Sequence, residues 1–112
     1  TVGYCWGGLL SWRAACLVQG LAASVTYYGG GMTAAAEVAR TPRVPVLSHF
    51  GERDHGIALD TVRAFAQAHL AVDVRLYPAD HGFNCDQRAD YNPTVAAEAM
   101  QRTLKFFDVH LE

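Results

Sequence analysis

A cysteine flanked by glycines lies near the start of the chain, in the segment GYCWGG at 3–8. Thr1–Gly3 is typical of a strand end, and 7–19 has the composition of an apolar helix. Cys5 would therefore occupy a sharp strand-to-helix turn, where small neighbours avoid clashes and the helix amides favour a thiolate. The pattern predicts a nucleophile, with the Trp6 amide as one donor to an oxyanion. A buried cysteine beside helix-packing glycines is the alternative interpretation.

An aspartate and a histidine each follow a later predicted strand. Asp54 comes after the strand at 46–50 and a glycine, and His81 comes after the strand at 72–77. Histidine is the usual general base near neutral pH. Taken alone, either residue could be an ordinary loop side chain. The carboxyl ends of parallel strands share one rim, however, so these residues are predicted to lie close to Cys5.

The chain order of these residues adds to the prediction. Nucleophile, acid, histidine is the order of the catalytic triad in α/β-hydrolases. We therefore predict that Cys5 is the nucleophile, that His81 is its base and that Asp54 orients His81.

Strands and helices alternate along the whole chain. The predicted strands are 1–3, 22–28, 46–50 and 72–77, and the predicted helices are 7–19, 33–39, 58–70 and a last one that Asn92 caps. The apolar face predicted for the last helix consists of Val95, Ala99, Thr103, Leu104, Phe107 and Leu111. The alternation predicts an α/β fold with a mostly parallel sheet of about four strands and flanking helices.

The first predicted strand opens the chain and also carries the cysteine motif. Such a strand is normally interior in an open α/β sheet, and at an edge it would leave backbone groups unpaired. We therefore expect 1–112 to be a single, partial domain. Either earlier strands precede Thr1, or a second chain covers this edge, so we expect a homo-oligomer or association with a missing N-terminal half.

Composition excludes several classes of protein. The chain has 112 residues, 51% hydrophobic and 18% charged, with a net charge of −2, which indicates one globular core. The absence of a basic run argues against nucleic acid as a partner. No apolar stretch reaches the ~20 residues of a membrane span, and no signal peptide is visible. Three cysteines without a CxxC pair argue against disulfides and favour a cytoplasmic location.

Other side chains are weaker candidates for the site. Tyr27 and Tyr28 could bind substrate, but they alternate in direction at a strand end, so at most one is expected to face a pocket. Packing at the strand end is the alternative. Histidines and Asp54 could be imagined as zinc ligands, but their spacing matches no familiar zinc motif, and no metal is expected.

Four segments resemble successive signatures of the dienelactone hydrolase family: GYCWGG at 3–8, YYGGG at 27–31, HFGERD at 49–54 and YPADHGFNC at 77–85. The resemblance extends from Thr1 to Glu112. It implies the C-terminal half of an α/β-hydrolase fold, hydrolysis of a lactone or ester, and no metal or organic cofactor. By the same likeness Cys5, Asp54 and His81 are the catalytic triad.

The sequence departs from the family pattern at two places. Family members are considerably longer before the cysteine, and that part holds the first strands, the loop with the second oxyanion amide and part of the pocket. Dienelactone hydrolases proper are also expected to place an arginine shortly after the histidine, to bind the substrate carboxylate. Here Cys85 occupies that neighbourhood, and Arg88 is the candidate to replace the arginine.

We therefore predict a hydrolase of lactone or ester bonds that forms a thioester on Cys5. The alternative is a catalytically inactive fragment that self-associates or complements a partner chain. A catalytic Cys5 should alkylate faster than Cys16 and Cys85, with a depressed pKa. A carboxylesterase or peptidase-like hydrolase is disfavoured by the cysteine, and a binding module built on the aromatic residues leaves the triad unexplained.

Overall fold

The computed structural model describes residues 1–111 and contains eight elements in strict alternation. The strands are β1 (Val2–Tyr4), β2 (Ser24–Tyr27), β3 (Val46–Gly51) and β4 (Asp73–Tyr77). The helices are α1 (Trp6–Leu17), α2 (Ala35–Val38), α3 (Leu59–Ala68) and α4 (Pro93–His110). Every predicted element is present, and its bounds lie within a few residues of those expected from hydrophobic pattern and turn residues.

The four strands form one sheet in the order β1-β2-β3-β4, and all neighbours are parallel. The carboxyl ends of all four strands therefore lie at one rim. This confirms the predicted α/β fold with a parallel sheet. The residues that follow these strand ends are brought together, because parallel strands share their direction.

Helices cover both faces of the sheet. The Ser24 hydroxyl donates to the Ser11 carbonyl of α1 at 2.8 Å, whereas the Tyr27 hydroxyl bonds Thr103 of α4 at 2.9 Å. Because side chains alternate along a strand, Ser24 and Tyr27 point to opposite faces. Helix α1 thus packs on one face of the sheet and α4 on the other.

The core beside α1 is centred on Trp12, which is fully buried. Its ring meets the Phe65 ring of α3 edge to face, with centroids 4.9 Å apart, and lies 5.1 Å from the His69 ring. The Trp12 indole N–H donates to the Glu37 carbonyl at 3.1 Å. One large side chain therefore joins three helices over the sheet.

Helix α4 begins as its sequence predicts. The Asn92 side chain accepts a hydrogen bond from the Val95 amide at 3.1 Å, and Pro93 occupies the first turn. The predicted apolar face is only partly correct, because Leu104 and Leu111 are exposed while Ala99 and Thr103 are buried. Helix α1 is apolar in composition, yet its residues Leu10 and Leu17 are also exposed.

β1 is one of the two edge strands of the sheet, and its exposed residues are apolar. Val2 and Tyr4 are 41% exposed, and the adjacent Trp6 side chain is 71% exposed. We call these three residues the edge patch. In 1–111 no helix is both long and apolar enough to cross a membrane.

Candidate active site

Cys5 lies in a strained turn between β1 and α1. Its backbone has φ 56° and ψ −120°, a combination that residues other than glycine rarely adopt. Its amide donates to the Tyr27 carbonyl at 3.0 Å, and its carbonyl accepts from the Gly8 and Leu9 amides at 2.9 and 3.3 Å. These bonds hold the turn in a conformation that projects the thiol from the rim, which is the geometry of a nucleophile elbow.

Two glycines make this turn possible. A Cβ on Gly3 would lie 1.9 Å from the Gly7 carbonyl oxygen, and one on Gly8 would lie 2.8 Å from the Gly29 Cα. Both contacts are with backbone, so neither could be relieved by a side-chain movement. Gly7 was expected to be needed at this turn, but a Cβ there would meet nothing within 4 Å. The close approach is between α1 and the end of β2, and it requires a glycine at position 8.

Asp54 and His81 meet at the same rim. The His81 Nδ1 lies 2.6 Å from Asp54 Oδ2, and Asp54 Oδ1 accepts from the Gly56 amide at 2.7 Å. Because a carboxylate only accepts hydrogen bonds, Nδ1 must carry the proton, which leaves Nε2 free to accept one. The Asp54 side chain is 1% exposed and that of His81 is 28% exposed. The geometry is that of a carboxylate orienting a general base.

Cys5 belongs to a cavity beside this pair. Within residues 1–111, no hydrogen bond joins the Cys5 thiol to His81. The Tyr28 ring lies against His81, with ring centroids 5.0 Å apart, and Tyr28 lines the cavity together with Cys5. The structure thus brings Asp54 and His81 into contact and places Cys5 near them without a direct bond.

The cavity has a volume of about 710 Å³ and opens at the rim. The rim supplies Tyr4, Cys5 and Tyr28, and α4 supplies Pro93, Ala96, Ala97 and Met100. The loop between β4 and α4 supplies Asn84, Cys85, Asp86, Arg88 and Tyr91. One wall is therefore apolar and the other polar, a combination that suits a small organic molecule with one charged end.

Burial raises the pKa of the Cys5 thiol above its ordinary value of 9.0. The Arg88 guanidinium opposes this rise, while the neighbouring Asp54 and Cys85 side chains add to it. The expected depression of the Cys5 pKa is therefore wrong for this structure. The cost of placing a thiolate in a partly dry cavity outweighs the nearby positive charge.

Arg88 lines the cavity from the loop between β4 and α4. Its Nε would be 2.9 Å from a Cβ on Gly82, so the guanidinium stem packs against the residue that follows His81. The side chain is 47% exposed, and its nearest acidic partner, Asp90, is 3.9 Å away. Arg88 therefore keeps donors available to a bound anion.

Of the two candidate tyrosines, only Tyr28 reaches the cavity. Tyr27 is fully buried, and its hydroxyl is bonded to Thr103, so its candidacy as a substrate-binding residue is wrong. Burial raises the pKa of Tyr28 by depriving its phenolate of water. Tyr28 also has a positive φ of 39°, which places its ring at the rim.

Several site residues carried no signal in the sequence. Tyr91, Ala97 and Met100 line the cavity from a loop and a helix that lie far from Cys5 in the chain. Within 1–111, no group of three or more His, Cys, Asp or Glu side chains could hold a metal ion.

Comparisons with known proteins identify the family of the chain. A family model described as "Dienelactone hydrolase family" matches residues 1–111. The chain is 30% identical over 118 residues to a protein of Escherichia coli K12 named "Putative carboxymethylenebutenolidase"; the match covers 94% of this chain and 44% of that protein. It is 32% identical over 124 residues to a protein of the same name from Synechocystis, covering 99% of this chain and 50% of that protein.

A solved structure shows the same fold. The crystal structure titled "Putative Dienelactone Hydrolase" from Klebsiella pneumoniae superposes with a TM-score of 0.84 at 33% identity, covering 96% of this chain and 50% of that one. The chain spans about half the length of the curated relatives it matches. These matches confirm the α/β-hydrolase fold, and the chain belongs to the dienelactone hydrolase family.

Proposed function

We propose that this protein hydrolyses lactone or ester bonds, with Cys5 as nucleophile, His81 as general base and Asp54 as its orienting carboxylate. The observation that carries the proposal is the 2.6 Å contact between Asp54 and His81, on the same rim as a cysteine in a strained turn. A cysteine in a strained backbone turn and an imidazole oriented by a carboxylate, on the same rim, supply what a nucleophile and its base require.

The reaction begins from a neutral thiol, because burial raises the Cys5 pKa. As the sulfur attacks the carbonyl carbon, its proton passes to His81 Nε2, and Asp54 stabilises the resulting imidazolium. The Trp6 amide, free at the first position of α1, donates to the oxyanion. Collapse breaks the bond to the alcohol oxygen, which takes the proton from His81 and, in a lactone, stays attached to the acyl group, so a thioester remains. His81 then takes a proton from the attacking water and returns it to the Cys5 sulfur as the carbon–sulfur bond breaks and the acid is released.

The proposed substrate is a lactone or ester that carries a carboxylate. Arg88 would bind that carboxylate in place of the arginine expected at Cys85, and the apolar wall from α4 would contact the hydrocarbon part. Two curated relatives are named "Putative carboxymethylenebutenolidase". A carboxymethylenebutenolide is a lactone that carries a carboxylate, so this name supports the proposed substrate class.

The test is hydrolysis of activated esters and carboxylated lactones by the purified protein and its Cys5→Ala variant. We expect Cys5→Ala to lower kcat by on the order of a thousandfold or more, because no nucleophile remains. Cys16→Ala is the matched control, since Cys16 lies buried in α1 away from the rim. Hydrolysis that survives in Cys5→Ala would refute the proposed nucleophile.

An inactive fragment that self-associates, or that complements a partner chain, is the second candidate. Two observations favour it: the exposed edge patch of β1 and the absence of a bond between Cys5 and His81 in residues 1–111. In that case a homo-oligomer, or a separate N-terminal half, would cover Val2 and Tyr4. The three free cysteines fit a reducing cytoplasm, which we propose as the location.

A further inference from the structure

A buried polar cluster lies beneath the site and has no part in the proposed chemistry. It joins Tyr27, His49, Tyr77 and Thr103, and we call it the rim cluster. His49 Nδ1 is 2.8 Å from the Tyr77 hydroxyl, and His49 Nε2 is 2.9 Å from the Thr103 hydroxyl. The Tyr27 hydroxyl is 2.9 Å from the same Thr103 oxygen. His49 and Tyr27 are fully buried, so these bonds replace water completely.

The members of the cluster come from β2, β3, β4 and α4, four of the elements that position the site. Tyr27 ends β2 and directly precedes Tyr28, Tyr77 ends β4 ahead of the His81 loop, and His49 lies in β3 ahead of the Asp54 loop. Thr103 belongs to α4, whose preceding turns form the apolar wall of the cavity. The Thr103 hydroxyl is the single atom of α4 that bonds both β2 and β3 side chains in this cluster.

An aromatic side chain connects the cluster to the proposed base. The Phe83 ring is fully buried and lies 5.6 Å from Tyr77 and 5.0 Å from Tyr28, measured between ring centroids. Tyr28 in turn packs on His81. The Phe83 carbonyl accepts from the Asn92 amide at 2.9 Å, so the loop that carries His81 is also tied to the start of α4. Movement of α4 would therefore reach His81 through close packing.

We propose that Thr103 is a positioning residue, whose hydroxyl holds α4 and three strand ends in the arrangement that keeps His81 oriented on Asp54. This inference rests on the proposed function. Among residues 1–111, every buried side-chain nitrogen and oxygen has a hydrogen-bond partner. Loss of the Thr103 hydroxyl would leave the His49 Nε2 and the Tyr27 hydroxyl unpaired, and α4 would shift to relieve them.

The test compares Thr103→Val, which removes the hydroxyl at nearly constant shape, with Thr103→Ser, which keeps it. Thr94→Val is the matched control, because Thr94 is an exposed threonine on the same helix. In the purified protein, Thr103→Val should lower kcat about ten- to a hundredfold with little change in KM, since small displacements of catalytic groups have effects of this size. Thr103→Ser and Thr94→Val should retain kcat.

A second readout does not depend on activity. The His81 Nδ1 proton, held between His81 and Asp54, should give a strongly deshielded NMR signal in the wild type and in Thr103→Ser. The signal should broaden or disappear in Thr103→Val. If no substrate is turned over by the wild type, the proposed function fails, and this signal alone decides the positioning role.

An unchanged signal and an unchanged kcat in folded Thr103→Val, with only a lower melting temperature, would show that the cluster is purely structural and would overturn the proposal. If Thr103→Val does not fold, Thr103→Ala takes its place, since it also removes the hydroxyl that bonds Tyr27 and His49. A folded Thr103→Ala with wild-type kcat and NMR signal would equally overturn the proposal.

Discussion

At the scale of single residues, Asp54 is held through both of its carboxylate oxygens. One oxygen accepts from the Gly56 amide, and the other bonds His81 Nδ1. The Gly56 bond prevents the carboxylate from rotating away, so the imidazole has one orientation and one tautomer. The site therefore depends on Asp54 for geometry as much as for charge.

Asp54→Asn should keep the fold and lower kcat by on the order of a hundred- to ten-thousandfold, because an amide can donate to Nδ1 and stabilise the wrong tautomer of His81. Steady-state kinetics with an activated ester measures the loss, and Asp60→Asn, an exposed change on α3, is the control. A kcat within a factor of about two of the wild type would show that Asp54 does not orient the base.

Arg88 opposes the rise in the Cys5 pKa, so its removal should raise that pKa further. We expect half-maximal iodoacetamide labelling of Cys5 above pH 9.0 in the wild type. Arg88→Gln should move this midpoint upward, because the positive charge that favours the thiolate is removed. Labelling is followed at each cysteine by mass spectrometry.

Arg63→Gln, an exposed change on α3, should leave the Cys5 labelling midpoint unchanged. A wild-type midpoint well below the free-thiol value of ~8.5 would contradict the raised pKa. It would instead agree with the depressed Cys5 pKa that the cysteine motif predicts. Equal midpoints in the wild type and Arg88→Gln would place Arg88 too far from Cys5 to guide a substrate carboxylate.

At the scale of elements, the turn between β1 and α1 depends on how closely α1 passes the end of β2. Gly8→Ala should lower the free energy of unfolding by about 1–3 kcal/mol, because the new methyl would meet the Gly29 Cα at 2.8 Å and the Tyr27 carbonyl oxygen at 2.9 Å. Urea unfolding measures the change.

Gly7→Ala is the matched control for this turn, one residue away and with open space around the added methyl. It should be neutral or stabilise by up to ~1 kcal/mol, as expected for glycine to alanine in a helix. Equal destabilisation by both variants would show that the close contact with Gly29 does not determine the effect of Gly8→Ala.

Local patterns predicted the elements, because each strand and helix has its own periodicity and its own Gly or Pro boundary. The Asn92 cap and the end of β3 at Gly51 are examples. The exposed faces were not predictable in the same way. Leu104 has an apolar side chain at a helical spacing that usually indicates burial, but no described residue packs over it.

The candidate site was predictable in part. Cys5, Asp54 and His81 could be identified because each follows a strand end, and parallel strands bring such positions to one rim. The raised Cys5 pKa could not be foreseen, since it depends on burial by the distant residues that close the cavity. The bond between Tyr27 and Thr103 also joins residues 76 positions apart, and no local pattern indicates it.

At the scale of the whole molecule, His49 of the rim cluster makes the folding stability depend on pH. Burial, with a further contribution from Arg102, lowers the His49 pKa from 6.5 to about 4. The unfolded chain therefore binds a proton that the folded chain does not, and stability falls as the pH decreases from about 6.5 to about 4. Below pH 4 this loss is complete, at about 3 kcal/mol.

When the pH is lowered from 7 to 4, the free energy of unfolding of His49→Gln should fall by about 3 kcal/mol less than that of the wild type. At pH 7 the variant should be less stable than the wild type. Urea unfolding at both pH values gives the two differences. His55→Gln is the control, because His55 is exposed and should keep the wild-type dependence. The same pH dependence in wild type and His49→Gln would show that His49 is not the buried group that titrates.

The central claim is that Cys5 carries the acyl group during turnover. The most direct measurement is rapid-quench mass spectrometry of the purified protein mixed with an activated ester, followed by peptide mapping. We predict an acyl group on Cys5 that forms within the first turnover and is released by hydroxylamine, as a thioester is. Turnover with no acyl group on Cys5, or with the label on Cys85 alone, would contradict the account.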